Sequence, residues 1–261
     1  MSRGVGMWDP ELYGRFADQR NRPFHELVAR IGATAPANVV DLGCGDGALT
    51  ATLAARWPSA SVLGVDSSEE MLASATSLKS DRMSFVLEQI QDWRPSGPID
   101  VLVSNAALQW VPRHLSLLPR FVSALAPGGW LAIQVPGNFE APSHATLRML
   151  CDSPRWSERL GTAGRWLSTP TPSDYVSALA SHGCVVDAWE TTYAQVLQGA
   201  DPVLAWMRGT ALRPVYARLS AEEAAEFDAD LGAMLREAYP PQPYGTVLPF
   251  RRIFAVAQAP A

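Results

Sequence analysis

Val39-Val40-Asp41-Leu42-Gly43-Cys44-Gly45-Asp46-Gly47 is the stretch that decides the fold. A short β-branched run ends in a carboxylate and three alternating glycines. Leu49, Leu53 and Trp57 then recur at helical spacing until Pro58 stops them. This is a buried strand turning directly into a helix. Glycines at such a junction let a ligand lie against bare backbone, and the helix N-terminus offers it free amides. Upstream, 24–31 reads as a helix with Pro23 at its first position. Downstream, strands at 61–65, closed by Asp66, and at 83–87, 99–103 and 130–135 alternate with helices at 69–77 and 115–125. This alternation predicts a parallel sheet with right-handed crossovers.

The second half changes character. Thr171-Pro172-x-Asp174 starts a helix over 175–181, and 184–197 is β-rich. A helical block follows over 203–239. In it Ser220-Ala-Glu-Glu223 forms a capping box ahead of Phe227, Leu231, Met234 and Leu235 on one face. The proline-rich stretch 240–245 ends the block, and 252–257 is a last strand. Strand, helical insertion and strand predict an antiparallel closing pair with a helical cap between. The expected organisation is an N-terminal lid at 1–22, a core at 23–198 and 246–261, and an inserted cap at 199–245.

Composition narrows the function. At about 150 residues per domain, 261 residues make one core with an appendage. Hydrophobic residues at 48% supply a core, and charged residues at 18% are too few for a disordered chain. A net charge of −5 lacks the basic footprint for nucleic acid or an anionic membrane. No run of apolar residues is long enough for a transmembrane helix, and no apolar segment before Pro10 marks a signal peptide. Cys44, Cys151 and Cys184 make no CxxC pair and no zinc-spaced cluster, so neither a disulfide scaffold nor a metal site is expected. The expectation is a cytoplasmic enzyme with a small-molecule substrate, monomeric by default. Of 21 basic residues only Lys79 is lysine. Genome composition accounts for that bias, and arginine's planar fork also suits carboxylates.

Gly43, Gly45 and Ala48 satisfy a dinucleotide fingerprint in its Gly/Ala form, which would imply a nicotinamide-dependent oxidoreductase. Asp41 argues the other way. A carboxylate at the strand end repels a pyrophosphate and suits a ligand carrying an ammonium and a sulfonium. Asp66, 21 residues after Gly45, can accept from ribose hydroxyls. The plainer readings are that Asp41 caps the loop and Asp66 is a turn residue. Cys44 sits where a nucleophile could, but free cysteine is usually a small buried filler.

Asp41 to Gly47, followed by Gly64-Val65-Asp66-Ser67-Ser68, resembles motif I and the acidic second-strand end of class I S-adenosylmethionine-dependent methyltransferases. The resemblance implies an α/β, Rossmann-like sheet of seven strands, six parallel and the last antiparallel. It also implies S-adenosyl-L-methionine as cofactor. On it Asp41, Gly43, Cys44 and Gly45 line the methionine half. Asp66 and Ser67 meet the ribose, Met71 packs near ribose and adenine, and Gln89 and Ile90 meet the adenine. The family usually has Asp at the Gln89 position. Asn105 belongs to the segment that faces the methionine moiety.

Four outer segments are narrower. They are Trp8-Asp-Pro-x-x-Tyr13-x-x-Phe16-x-x-x-Arg20-x-Arg22-Pro23, Asn105-Ala-x-Leu-Gln109-Trp110, Trp206-x-x-x-Thr210-x-Leu-Arg213-Pro214 and Phe250-x-Arg252-x-Phe254. Together they are similar to the trans-aconitate methyltransferases, over nearly the whole chain. The resemblance implies esterification of a small polycarboxylate. A carboxylate is already ionised near pH 7, so no general base is needed and no catalytic side chain is expected; His25, His114, His144 and His182 are scattered. Catalysis would be positioning. Candidate substrate contacts are Trp8, Tyr13, Gln109, Trp110, Arg213 and Arg252, because arginine forks suit the carboxylates that do not react. Arg208 and Arg251 match less firmly. Arg22, rather than Arg20, is the candidate for the cofactor's carboxylate. Trp8, Tyr13 and Phe16 could equally be core, and Trp110 a packing residue. The competing readings are a methyltransferase for malonyl-carrier protein, which would need a basic docking patch, and a non-catalytic cofactor-binding regulator.

Overall fold

The computed structural model describes residues 17–163 and 168–261. Seven strands form one sheet: β1 (Asn38–Leu42), β2 (Ser61–Asp66), β3 (Met83–Leu87), β4 (Ile99–Asn105), β5 (Leu125–Pro136), β6 (Val185–Leu197) and β7 (Thr246–Gln258). Their order is β3-β2-β1-β4-β5-β7-β6. The pairs from β3 to β5 are parallel and β7 runs antiparallel to β5, so the sheet is six strands parallel with the last reversed. The expected fold class holds. The helices are α1 (Ala17–Ala29), α2 (Ala48–Arg56), α3 (Glu69–Ala75), α4 (Leu118–Ser123), α5 (Pro142–Cys151), α6 (Ser157–Leu160), α7 (Pro172–Ala180), α8 (Pro202–Arg208), α9 (Arg213–Tyr216) and α10 (Ala221–Ala238).

Several boundaries differ from the sequence reading. Helix α1 carries Pro23 inside it rather than at its first position. A proline in a helix interior forfeits one backbone bond, and here Arg22 and Glu26 form an i,i+4 ion pair across it at 2.7 Å. The helix expected at 69–77 ends at Ala75 and tightens into a 3-10 turn over Thr76–Leu78. The helix expected at 115–125 is a 3-10 turn, His114–Leu117, followed by α4. Strand β5 starts five residues before Trp130, at Leu125. The block at 203–239 is three helices, because Gly209 and the Ser220 cap interrupt it. Helices α5 and α6 had no counterpart in the sequence reading. The expected capping box of Ser220 and Glu223 opens α10, and the helix start expected at Thr171 is a capping box as well, formed with Asp174 at the head of α7.

The chain divides into two compact units. The sheet unit comprises 21–136, 169–191 and 252–261, and among the described residues the helical unit comprises 17–20, 137–163, 168 and 192–251. In the sheet unit, Val40, Leu42, Leu102, Leu131, Ile133 and Ile253 meet Phe121, Tyr175 and Leu179 in one core. The helical unit has a separate core, in which Phe227, Leu231 and Leu235 of α10 gather with Leu147, Trp156, Leu204, Trp206 and Met207. Trp156 meets Phe227 edge-on at 5.3 Å. Among the described residues, no helix is long and apolar enough to cross a membrane.

Candidate functional site

The glycine loop separates two uses of glycine. Gly43, Gly45 and Gly47 all have positive φ, 82°, 57° and 77°, which L side chains rarely adopt. A Cβ on Gly43 would stand 2.1 Å from Cβ of Ala107, and one on Gly47 would stand 2.8 Å from the Phe85 ring. Those two glycines serve packing. A Cβ on Gly45 would meet no protein atom within 4 Å. The bare backbone at Gly45 therefore borders open space at the carboxyl end of β1, where ligands bind in sheets of this kind.

Two carboxylates face this loop. Asp41 is buried, and its Oδ2 accepts from Thr50 Oγ1 at 2.7 Å. Burial raises its pKa from 3.8 to about 6; the Thr50 bond opposes that rise and the charge of Asp66 adds to it. A cationic ligand beside Asp41 would relieve the cost of ionising it. Asp66 accepts from the Gly45 amide (2.8 Å) through Oδ2 and from the Ser68 amide (2.9 Å) through Oδ1. Each oxygen keeps a second lone pair, so a sugar diol can be added without breaking the loop. Ser68 Oγ caps α3 by accepting from the Met71 amide at 3.3 Å. Met71 is half-buried behind it and Ser67 is exposed. Cys44 is buried, and burial first, then Asp41 and Asp66, push its thiol far up. It is the small filler expected of a free cysteine, not a thiolate.

The end of β4 supplies a third wall. Ala106 holds φ 52°, a left-handed conformation that costs an alanine roughly 1–2 kcal/mol. It is pinned from both sides: its amide donates to the Gln134 carbonyl at 2.9 Å, and its carbonyl accepts from Gln109 Nε2 at 2.6 Å. A carbonyl only accepts, so this bond fixes the Gln109 amide and turns Oε1 elsewhere. Gln109 Oε1 and Asn105 Oδ1 are buried and have no partner among the described residues. Strain and orphaned acceptors at one strand end mark a place built for a donor. Nearby, Gln89 is exposed with its Oε1 3.4 Å from Gln91 Nε2, Ile90 is buried, and Arg120 braces the segment through the carbonyls of Ile90 and Gln91. Trp110 is 47% exposed, so its indole is not a core residue.

Asp41, Asp66, Asn105 and Gln109 thus bring acceptor oxygens to the carboxyl ends of β1, β2 and β4, alongside the bare backbone of Gly45. That set fits a ligand with an ammonium and a ribose diol. It does not fit a pyrophosphate, which would meet acceptors where it needs donors. Asn105 and Gln109 were both named from sequence, Gln109 as a substrate contact, but Asn105 Oδ1 and Gln109 Oε1, unpartnered among the described residues, emerge only in three dimensions.

The expected arginines fall in different settings. Arg252 is buried on β7 and its Nη1 donates to Gln134 Oε1 at 3.2 Å. Arg213 is exposed at the first position of α9. Arg22 is exposed and pairs with Glu26. Arg208 pairs with Asp228 at 2.7 Å, and Tyr216 donates to the same carboxylate at 2.6 Å. The Arg251 amide donates to Asn138 Oδ1 at 2.7 Å. Trp8 and Tyr13, with Phe16, lie outside the described residues. Thr50, Ala106 and Gln134 were not singled out from sequence. Gln134 did leave a signal, as the polar residue within the run Trp130-Leu131-Ala132-Ile133-Gln134-Val135. Ala106 left none, because alanine advertises no positive φ.

Comparison with known proteins agrees with this geometry. Residues 15–188 match a family model described as a methyltransferase domain. The chain is 48% identical over 269 residues to a trans-aconitate 2-methyltransferase of Streptomyces avermitilis, covering 100% of both chains. It is 52% identical over 255 residues to one of Rhodococcus jostii, covering 97% of this chain and 99% of that one. Among solved structures, a phosphoethanolamine N-methyltransferase of Haemonchus contortus in complex with S-adenosylhomocysteine shares the fold. Its TM-score is 0.56 at 17% identity, over 92% of this chain and 53% of that one. Strand order, acceptor-lined glycine loop and full-length identity lead to one assignment: this chain belongs to the S-adenosylmethionine-dependent methyltransferases and, within them, to the trans-aconitate 2-methyltransferase family.

Proposed function

We propose that this chain esterifies a carboxylate of trans-aconitate with the methyl group of S-adenosylmethionine, giving a monomethyl ester. The observation that carries the cofactor half is the set of acceptors around Gly45: the buried Asp41, Asp66, and the orphaned oxygens of Asn105 and Gln109. When bound, the cofactor supplies a methyl group activated on a sulfonium. Asp41, Asn105 and Gln109 accept from its ammonium end, with Gly43, Cys44 and Gly45 as the backbone floor. Asp66 and Ser67 take the ribose. Met71, Gln89 and Ile90 border the adenine. Gln109 is given to the cofactor side because its fixed amide presents oxygen, and oxygen cannot donate to a carboxylate.

Acceptor recognition is assigned to Trp110, Arg213 and Arg252, with Trp8 and Tyr13 of the 1–22 segment as a lid and 199–245 as the cap. Arg22 is retained for a carboxylate of the cofactor, exchanging its Glu26 partner. The acceptor oxygen is ionised near pH 7 and needs no base, so the chain's contribution is orientation and exclusion of water. Free, buried Cys44, Cys151 and Cys184 suit a reducing compartment, and we place the enzyme in the cytoplasm.

The test is transfer from methyl-labelled S-adenosylmethionine to trans-aconitate, with cis-aconitate, citrate and a malonyl-carrier protein alongside. Base-labile label on trans-aconitate is the expected result. Label on the carrier protein alone would move the substrate assignment, and label on none of them would overturn it.

A further inference from the structure

Gln134 of β5 stands next to the acceptors at the end of β4. In register it lies beside Asn105 of β4 and Phe254 of β7, while Asp41 of β1 pairs with Val103, two residues before Asn105. Register partners and alternate residues share a sheet face. Asp41, Asn105, Gln134 and Arg252 therefore stand in one polar row near the carboxyl ends of the parallel strands. The carboxylates that mark the cofactor are on β1 and β2. Gln134 is on β5, across Asn105 from them and next to β7 in the strand order.

Gln134 is fully buried in a strand that is otherwise apolar around it. Its Oε1 accepts from Arg252 Nη1 at 3.2 Å. A guanidinium only donates, so the atom facing Arg252 must be the oxygen and the amide nitrogen must turn away from it. That nitrogen is buried with no partner among the described residues. A buried, orphaned donor is costly in a finished core. Its orientation is enforced by a charged neighbour, beside a row of side chains whose orphaned or buried atoms are otherwise acceptors. Asn105 Oδ1, Gln109 Oε1 and Asp41 all offer oxygen.

We infer that Gln134 is an acceptor-binding residue whose Nε2 donates to a carboxylate of the substrate, and that Arg252 positions it by holding its Oε1. The inference rests on the carboxylate acceptor proposed above and adds the residue that reads it. Arg252 then acts on the substrate through Gln134.

Gln134→Met keeps length and removes the donor. It raises KM for trans-aconitate by about tenfold, the range for losing a hydrogen bond to a charged group, and leaves the Kd for S-adenosylhomocysteine unchanged. Gln134→Glu keeps both the shape and the Arg252 contact but presents a negative oxygen, and it raises KM further. If the methionine variant fails to fold, the glutamate variant carries the test. A dicarboxylate analogue lacking the carboxylate that Gln134 holds is turned over alike by wild type and Gln134→Met, which a purely structural role would not produce. Unchanged KM in both variants, or a Kd for S-adenosylhomocysteine that weakens in step with KM, would overturn the inference; in the second case the donor serves the cofactor's own carboxylate. Wild-type protein inert toward trans-aconitate overturns the proposed function instead, and is seen before any variant is made.

Discussion

The sheet unit and the helical unit bury comparable sets of large apolar side chains but carry their polar burden differently. In the sheet unit the polar groups are inside: Asp41 and Gln134 are buried, Ala106 is held in a left-handed conformation, and Asn105 and Gln109 keep orphaned acceptors. In the helical unit the ion pairs are outside. Arg155 bridges Glu226 and Asp230, Arg159 meets Glu223, and Arg236 meets Asp201, all with side chains partly in solvent. Exposed pairs of this sort are worth little each. Orphaned polar atoms occur in both units, since Ser153 Oγ, Trp156 Nε1 and Gln195 Oε1 lack partners among the described residues in the helical one. What sets the sheet unit apart is a buried carboxylate and a left-handed alanine at its strand ends.

The sharpest way to break that contrast lies within one loop. Gly43→Ala must clear a 2.1 Å approach to Ala107 at φ 82°, and overpacking plus left-handed strain cost about 2–5 kcal/mol. Gly45→Ala meets no protein atom, so denaturant unfolding registers only the strain of about 1–2 kcal/mol. Calorimetry with S-adenosylhomocysteine nevertheless finds its binding abolished, because the new methyl occupies ligand space. Equal stability losses for the two variants would refute the division between packing and ligand glycines.

Core truncation in the other unit is the next probe. Phe227 is fully buried in α10, and Phe227→Ala costs about 3–5 kcal/mol in urea unfolding. Under native conditions the affinity for S-adenosylhomocysteine stays at the wild-type value. A proportionate loss of affinity would show that the cofactor site depends on the helical core.

Titration separates Asp41 from His144 by sign. Asp41 is raised from 3.8 to about 6, so the folded state holds a proton that the unfolded state has lost. Its contribution is full below pH 3.8 and falls away as pH rises to about 6, by about 3 kcal/mol. His144, in the helical unit, is lowered from 6.5 to about 4 by burial first and the charge of Arg148 second. Its contribution is full above pH 6.5 and is lost as pH falls to about 4, again by about 3 kcal/mol. His114, lowered by burial in the sheet unit, acts in the same direction as His144. These slopes oppose one another in wild type. Asp41→Asn unmasks a stability that rises with pH across this window, and His144→Gln one that rises less or falls. Parallel pH profiles for wild type and Asp41→Asn would mean that Asp41 is not the buried titrating group.

The smallest effect concerns helix ends. Ser220→Ala removes the side chain that accepts from the Glu223 amide at 3.2 Å and lowers stability by about 1 kcal/mol. Arg155→Ala changes it by less than about 1 kcal/mol. A reversed ranking in thermal unfolding would give the surface ion pairs more weight than their exposure allows.

The two units also differ in how much of them could be read from sequence. Strands β1, β2 and β3 are short, largely apolar runs ended or flanked by glycine or charged residues on at least one side, so their limits were nearly complete. Asp41, Gly45 and Asp66 lie on one local motif, and local chemistry is legible. Helices α5 and α6 went unread although Pro142 opens α5, because their apolar faces are completed by α8 and α10, far along the chain. Arg252 reads in sequence as a carboxylate-binding fork, and its burial beside Gln134 shows only in three dimensions, because pairing of β5 with β7 joins residues 118 apart. The positive φ of Ala106 is imposed by its neighbours Gln134 and Gln109, and the residue itself gives no sign of it.

In the proposed site, cofactor binding and acceptor choice are carried by different residues. The most direct measurement takes Arg213→Gln and records two constants on the same preparation, the Kd for S-adenosylhomocysteine and the KM for trans-aconitate. The account predicts an unchanged Kd with a raised KM. A weakened Kd, or a KM equal to wild type, would contradict it.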